Sequence, residues 1–135
     1  MTEKHNDATT NRPQGTRTLD APVFRINLAD HIRQIKNEVA WQDSDRNAIT
    51  LLHNDYQRIV LVALKEGAEM TRHAVDAALT IRVLSGRIWL ETESQSFSVD
   101  DDEMAALQPG LSHYVHAEEE SVFLLILAGT HNGEF

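Results

Sequence analysis

The sequence predicts an all-β domain, an antiparallel β-barrel or jelly roll preceded by one short N-terminal helix. From Ala48 onward, short apolar runs alternate with turn formers at regular spacing, the pattern of a sandwich, jelly roll or small barrel. One stripe of helical period precedes them. The chain has 135 residues, 41% of them hydrophobic, enough for one domain whose core needs no disulfide or structural metal.

In chain order, Met1–Asp20 is polar and has no hydrophobic period, so residues 1–22 read as a disordered or loosely attached tail. The barrel domain is expected over residues 23–130, with 131–135 as a C-terminal tail. Val23–Ile26 is expected as a short strand. Within Asn27–Val39, the apolar residues Leu28, Ile32, Ile35 and Val39 make one helical stripe, predicting a helix over about 28–39 with Asn27 as its N-cap. Trp41, just past its end, is expected to plug the space between helix and sheet.

Strands are expected at Ala48–His53, Arg58–Leu64, Leu79–Leu84, Arg87–Thr92, Ser96–Val99, Met104–Leu107, His113–His116 and Val122–Ala128. The breaks hold Asn54-Asp55, Glu66-Gly67, Ser85-Gly86, Glu93-Ser94, Asp100–Asp102, Pro109-Gly110 and Glu118–Glu120, all turn-forming combinations. Ile59–Leu64 and Val122–Leu127 are apolar at consecutive positions, so both of their faces must be covered. One face would line the barrel. The other would meet the N-terminal helix or a second subunit, and a homodimer is the natural expectation.

Composition removes several classes. Without cysteine there are no disulfides, thiolate metal sites or cysteine nucleophiles. The apolar run Phe123–Ala128 is too short to cross a bilayer, and no secretory signal is visible, so no membrane partner and a cytoplasmic location are expected. Twelve basic against twenty-one acidic residues give a formal charge of −9, which argues against a nucleic-acid partner. There is no phosphate-binding glycine loop, nucleotide fingerprint or serine elbow.

The stretch Gly67–Gly86 resembles the first motif of the cupin superfamily: Gly, five residues, His-x-His, three or four residues, Glu, six residues, Gly. Pro109-Gly110-Leu-Ser-His113 is similar to the second motif, and Arg87–Ala106 has the length usual between them in small cupins. The resemblance spans roughly Ala48 to Ala128 and implies a cupin-type barrel, of the small single-domain kind with a conserved cupin-2-like core. It also implies one divalent metal on three His and one Glu. Here His73 takes the first His position and His113 the motif-two His, but the second His position holds Val75 and the Glu position holds Leu79. Half of the metal shell is therefore apolar. Two neutral imidazoles leave a dication's charge uncompensated in a dry pocket.

Strand parity puts Val75, Leu79, Ile81 and Val83 on the face that His73 would share, making them the expected pocket lining. Asp76 on a bulge, His53 on a neighbouring strand or Glu69 in a preceding loop are the candidates to complete a metal site. His116, an odd number of residues after His113, faces the other way. His31 is expected at the helix surface, and His5 and His131 in the tails. Arg46 is expected to pair with Asp43 or Asp45 rather than to clamp a carboxylate at the barrel mouth. Asp100–Glu103 reads as a solvated turn, since it lacks calcium-loop spacing.

Three functions follow, in order of preference. The first is a non-catalytic small-ligand-binding or sensor barrel with a degenerate metal site and no resident cofactor. A second is a metal-dependent oxygenase, isomerase or lyase acting on a small acid, with a divalent transition metal on His73 and His113. The third is a dimeric structural or interaction scaffold. Fold resemblance does not choose among them.

Overall fold

The computed structural model describes residues 21–129, together with the paired two-residue strands β1 (His5–Asn6) and β2 (Arg17–Thr18). Apart from that ladder and Ala21-Pro22, the tails expected at 1–22 and 131–135 lie outside the described residues.

Helix α1 spans Leu28–Asn37, and the Asn27 side chain caps it by accepting from the Asp30 amide at 3.2 Å. Asp30 in its first turn and Lys36 in its last complement the helix dipole. The helix stops short of the expected Val39. Glu38 is extended (φ −81°, ψ 154°), and its buried carboxylate accepts from Asn47 Nδ2 and Gln34 Nε2, each at 2.9 Å. That inward carboxylate breaks the helical path. A second short helix, α2 (Val39–Asp43), then turns Trp41 beneath α1, where 8% of it is exposed. Val39 falls off the predicted stripe and is 51% exposed. Val23–Ile26, expected as a strand, joins no sheet.

The barrel is two antiparallel sheets. One orders β3 (Arg46–His53), β4 (Gln57–Leu64), β11 (Ser121–Ala128), β6 (Ala78–Ser85) and β9 (Met104–Leu107). The other orders β5 (Glu69–His73), β10 (His113–Ala117), β7 (Arg87–Thr92) and β8 (Ser96–Asp100). This is the predicted all-β architecture behind a short helical segment.

The consecutive apolar residues of β4 and β11 are sorted by parity. Val60, Val62 and Leu64 enter the interior with Phe123, Ile81 and Leu90. Leu61, Ala63, Val122 and Leu124 meet Ile35, Trp41, Ile49 and Leu51 in a second apolar layer under the helices. The burial of both faces that suggested a second subunit is thus largely met within one chain. Each Val, Leu, Ile or Phe among them, fully buried, contributes about 1.5–3 kcal/mol.

Two departures concern the histidine segment. Glu69–His73, expected as loop, is a strand, fastened at its start by Gly67 N to Ala117 O (2.8 Å) and Ala117 N to Ala68 O (2.9 Å). The parity count from His73 to Leu79 therefore crosses from one sheet to the other through residues 74–77, so it does not describe one regular strand. Within β6 the alternation holds: Leu79, Ile81 and Val83 are buried, while Thr80 and Arg82 are partly exposed.

Candidate functional site

β5 and β10 pair antiparallel with His73 opposite His113, which brings the two motif histidines together. Their ring centroids are 4.5 Å apart and the rings are tilted by 53°. Each ring is held by a carbonyl two residues earlier: His73 Nδ1 lies 2.9 Å from Thr71 O, and His113 Nδ1 lies 3.1 Å from Leu111 O. A carbonyl only accepts, so each Nδ1 carries a proton, and Nε2 is the ring nitrogen left for another group. His113 is 4% exposed, whereas His73 is exposed. Burial pushes the His113 pKa down, against the opposing pull of the Leu111 carbonyl; positive charge at His73 and Arg72 lowers it further.

A cavity of about 270 Å³ opens beside His73. Its walls are apolar: Val60, Val62 and Leu64 from β4, Leu125 and Leu127 from β11, and Met70 and Val75 across from them. Arg46, Arg58 and His73 supply polar side chains, and Asn47 borders the cavity with its side chain committed to Ile35 O and Glu38. Of the expected lining residues, Val75 is on this wall. Leu79, Ile81 and Val83 fill the packed interior, 4%, 0% and 0% exposed, and do not line the cavity.

Arg58 was not anticipated, although its sequence position carries a signal. An even number of residues separates it from Val60, Val62 and Leu64, so β4 delivers a guanidinium to the interior face. Arg58 Nε is buried and makes no hydrogen bond, and Arg58 has no ion-pair partner among the described residues. Leaving such a donor unsatisfied costs about 1–3 kcal/mol. Arg46 differs: its Nε donates to Asp45 Oδ1 at 2.9 Å on the surface, the expected pairing, and that bond holds the Asp45 carboxyl below its usual pKa.

The remaining candidates stay apart from the histidine pair. Asp76 is exposed between β5 and β6, His53 is paired in register with Arg58 at the far end of β3, and exposed Glu69 lies near Tyr114. His116 pairs with Glu69 and Trp89 on the face opposite His113, as parity required. His31 is part-buried, its Nδ1 3.2 Å from Gln34 Oε1. His131 lies outside the described residues. Among the described residues, no three His, Asp or Glu side chains gather where they could hold a metal ion. Two imidazoles beside Val75 and Leu79 do not fit the three-His, one-Glu donor set.

The solved structures supply the comparison. No family model matches the sequence, and no curated protein matches it. A cupin-2 domain containing protein from Shewanella frigidimarina is similar with a TM-score of 0.61 at 18% identity, over 76% of this chain and 93% of that one. The cupin domain of Schizosaccharomyces pombe Cnp3 gives 0.59 at 12% identity, over 94% of this chain and 87% of that one. A conserved SPY1581 protein of unknown function from Streptococcus pyogenes gives 0.62 at 22% identity, over 67% and 78%. The fold is the cupin fold.

Proposed function

We propose that this cupin-fold domain binds a small molecule in the cavity beside His73 and serves as a non-catalytic ligand-binding or sensor module. The observation that carries the reading is the composition of that cavity. An apolar wall surrounds a few polar groups, the pattern of a small-molecule site, and Val75 stands where the resemblance implies a metal-binding His. At about 270 Å³ the cavity holds roughly nine water volumes at ~30 Å³ each, so the ligand is small, on the order of ten non-hydrogen atoms.

Ligand binding to the folded state stabilises it by about 2.7 kcal/mol at a hundredfold excess over Kd, which a thermal-shift screen detects. The expected result is a concentration-dependent rise in Tm for at least one compound of this size, with saturable heat in calorimetry. A broad metabolite set that leaves Tm unchanged would overturn the proposal. The proposal includes a homodimer, since a second copy would cover Ile59 and Ile126 where the helices leave them partly exposed. Sedimentation velocity tests this separately, a monomer throughout the micromolar range ruling it out.

A further inference from the structure

We infer that the cavity is built for an organic carboxylate: the acid group on Arg58, an apolar body along β4 and β11, and a hydrogen-bond donor within reach of His73. The inference rests on the ligand-binding reading and names the ligand class that the reading leaves open.

Arg58 has the placement such a ligand needs. It lines the cavity and has no ion-pair partner among the described residues, its buried Nε making no hydrogen bond either. Its neighbours on the same strand face are Val60 and Val62, with Leu127 opposite it on β11 and Leu125 opposite Val60. A guanidinium in those surroundings selects for negative charge and for the planar, two-oxygen geometry of a carboxylate. The chain reverses at Gly67, so β5 runs back along the barrel and brings His73 to the cavity that Arg58 lines. With Nδ1 committed to Thr71, Nε2 is the His73 nitrogen left for the ligand, and in the Nδ1–H tautomer it accepts from a hydroxyl or amide N–H. Arg46 lines the same cavity but is already paired with Asp45, and its register partner is Leu64 rather than a residue beside Arg58. The specific contact therefore falls to Arg58. The chain's net charge of −9 does not oppose this, because exposed charges beyond about 8 Å are screened at physiological salt.

The test is calorimetry with matched probes of cavity size, hexanoate and phenylacetate against hexanamide and phenylacetamide, on the wild type and on Arg58→Met. Arg58→Met keeps an apolar stem and removes the charge. The expected result is that carboxylates bind at least about tenfold more tightly than their amides, and that Arg58→Met removes this preference. The wild type also provides a readout independent of the variant: the Arg58 Nε–H resonance moves downfield on adding carboxylate. Amides binding as tightly as acids, or an undiminished preference in Arg58→Met, overturns the carboxylate assignment and leaves the ligand-binding reading standing. No binding by either class overturns the carboxylate assignment, while the ligand-binding reading stands or falls on the broad thermal-shift screen.

Discussion

His73 and His113 sit opposite each other on β5 and β10 with ring centroids 4.5 Å apart, one exposed and one buried, each tethered through Nδ1 to the carbonyl two residues before it. The pairing brings together the two motif histidines that the cupin resemblance implies as metal ligands, without a third His, Asp or Glu among the described residues beside them. The two remaining positions are filled by Val75, which faces the cavity, and Leu79, which has joined the core. What is left is a pair of polar groups at the edge of an apolar cavity.

This arrangement predicts how stability depends on pH. The native His113 pKa is pushed below its ordinary 6.5, chiefly by burial. Between that native value and 6.5 the unfolded chain binds more protons than the folded one. The stability gained by keeping His113 neutral is therefore fully present above 6.5 and lost as pH falls toward the native value, with a slope of at most about 1.4 kcal/mol per pH unit. Urea unfolding at steps from about pH 7.5 to pH 5.5 is expected to show a steeper fall for the wild type than for His113→Asn. Equal slopes would remove His113 as the cause.

The same donor set predicts the metal content. Protein purified without chelator or nickel resin is expected to carry far less than one equivalent of any divalent transition metal by mass spectrometry. Stoichiometric metal that is released by His113→Ala would show that the two imidazoles recruit further donors, and it would promote the enzymatic alternative.

Gly86, between β6 and β7, has φ +90°, and a Cβ there would clash with Glu120 O and Ser121 Oγ. Ser121 is wholly buried, and its hydroxyl accepts from Arg87 N at 3.0 Å, so it cannot move aside freely. Gly110 has φ +79° but open space around it. Gly110→Ala is expected to cost about 1–2 kcal/mol through backbone strain alone. Gly86→Ala adds an overpacking penalty of about 1–3 kcal/mol. Chemical denaturation of the two variants checks the order, and equal losses would show that the clash relaxes.

Asn47 ties the helical segment to the sheet. It is 6% exposed, and its Nδ2 donates to Ile35 O and Glu38 Oε1, each at 2.9 Å. Asn47→Ala removes both donations around a buried carboxylate and is expected to cost about 2–4 kcal/mol. Asn47→Asp is expected to cost more, because it sets a second carboxylate against Glu38. An aspartate variant as stable as the alanine variant would contradict this account of the contact.

Much of the barrel was legible because its signals are local. Apolar periodicity placed the expected strands from Ala48 onward, and the turn formers at Glu66-Gly67, Ser85-Gly86, Asp100–Asp102 and Pro109-Gly110 coincide with the positive-φ residues Gly67, Gly86, Asp102 and Gly110. Trp41 was legible as a plug for the same reason, being a large apolar group next to a periodic stripe. β5 was not, since Glu-Met-Thr-Arg-His has no apolar alternation and exists as a strand through its pairing with β10. The break at Glu38 was also hidden, because its cause is an asparagine nine residues later in the chain.

By itself, then, the sequence determined the all-β architecture with a short helical segment in front, the alignment of His73 and His113 with the motifs, and the apolar residues Val75 and Leu79 at two positions where the cupin resemblance implies metal ligands. These depend on residue type and spacing, which a linear pattern records. The tertiary structure decided which inward residues border open space and which are consumed by packing. Leu79, Ile81 and Val83 share an inward parity with the lining residues but meet the opposite sheet, while Arg58 meets a cavity. Parity determines which face a side chain takes, but the distance between the two sheets at that point sets whether it packs or is left for a ligand.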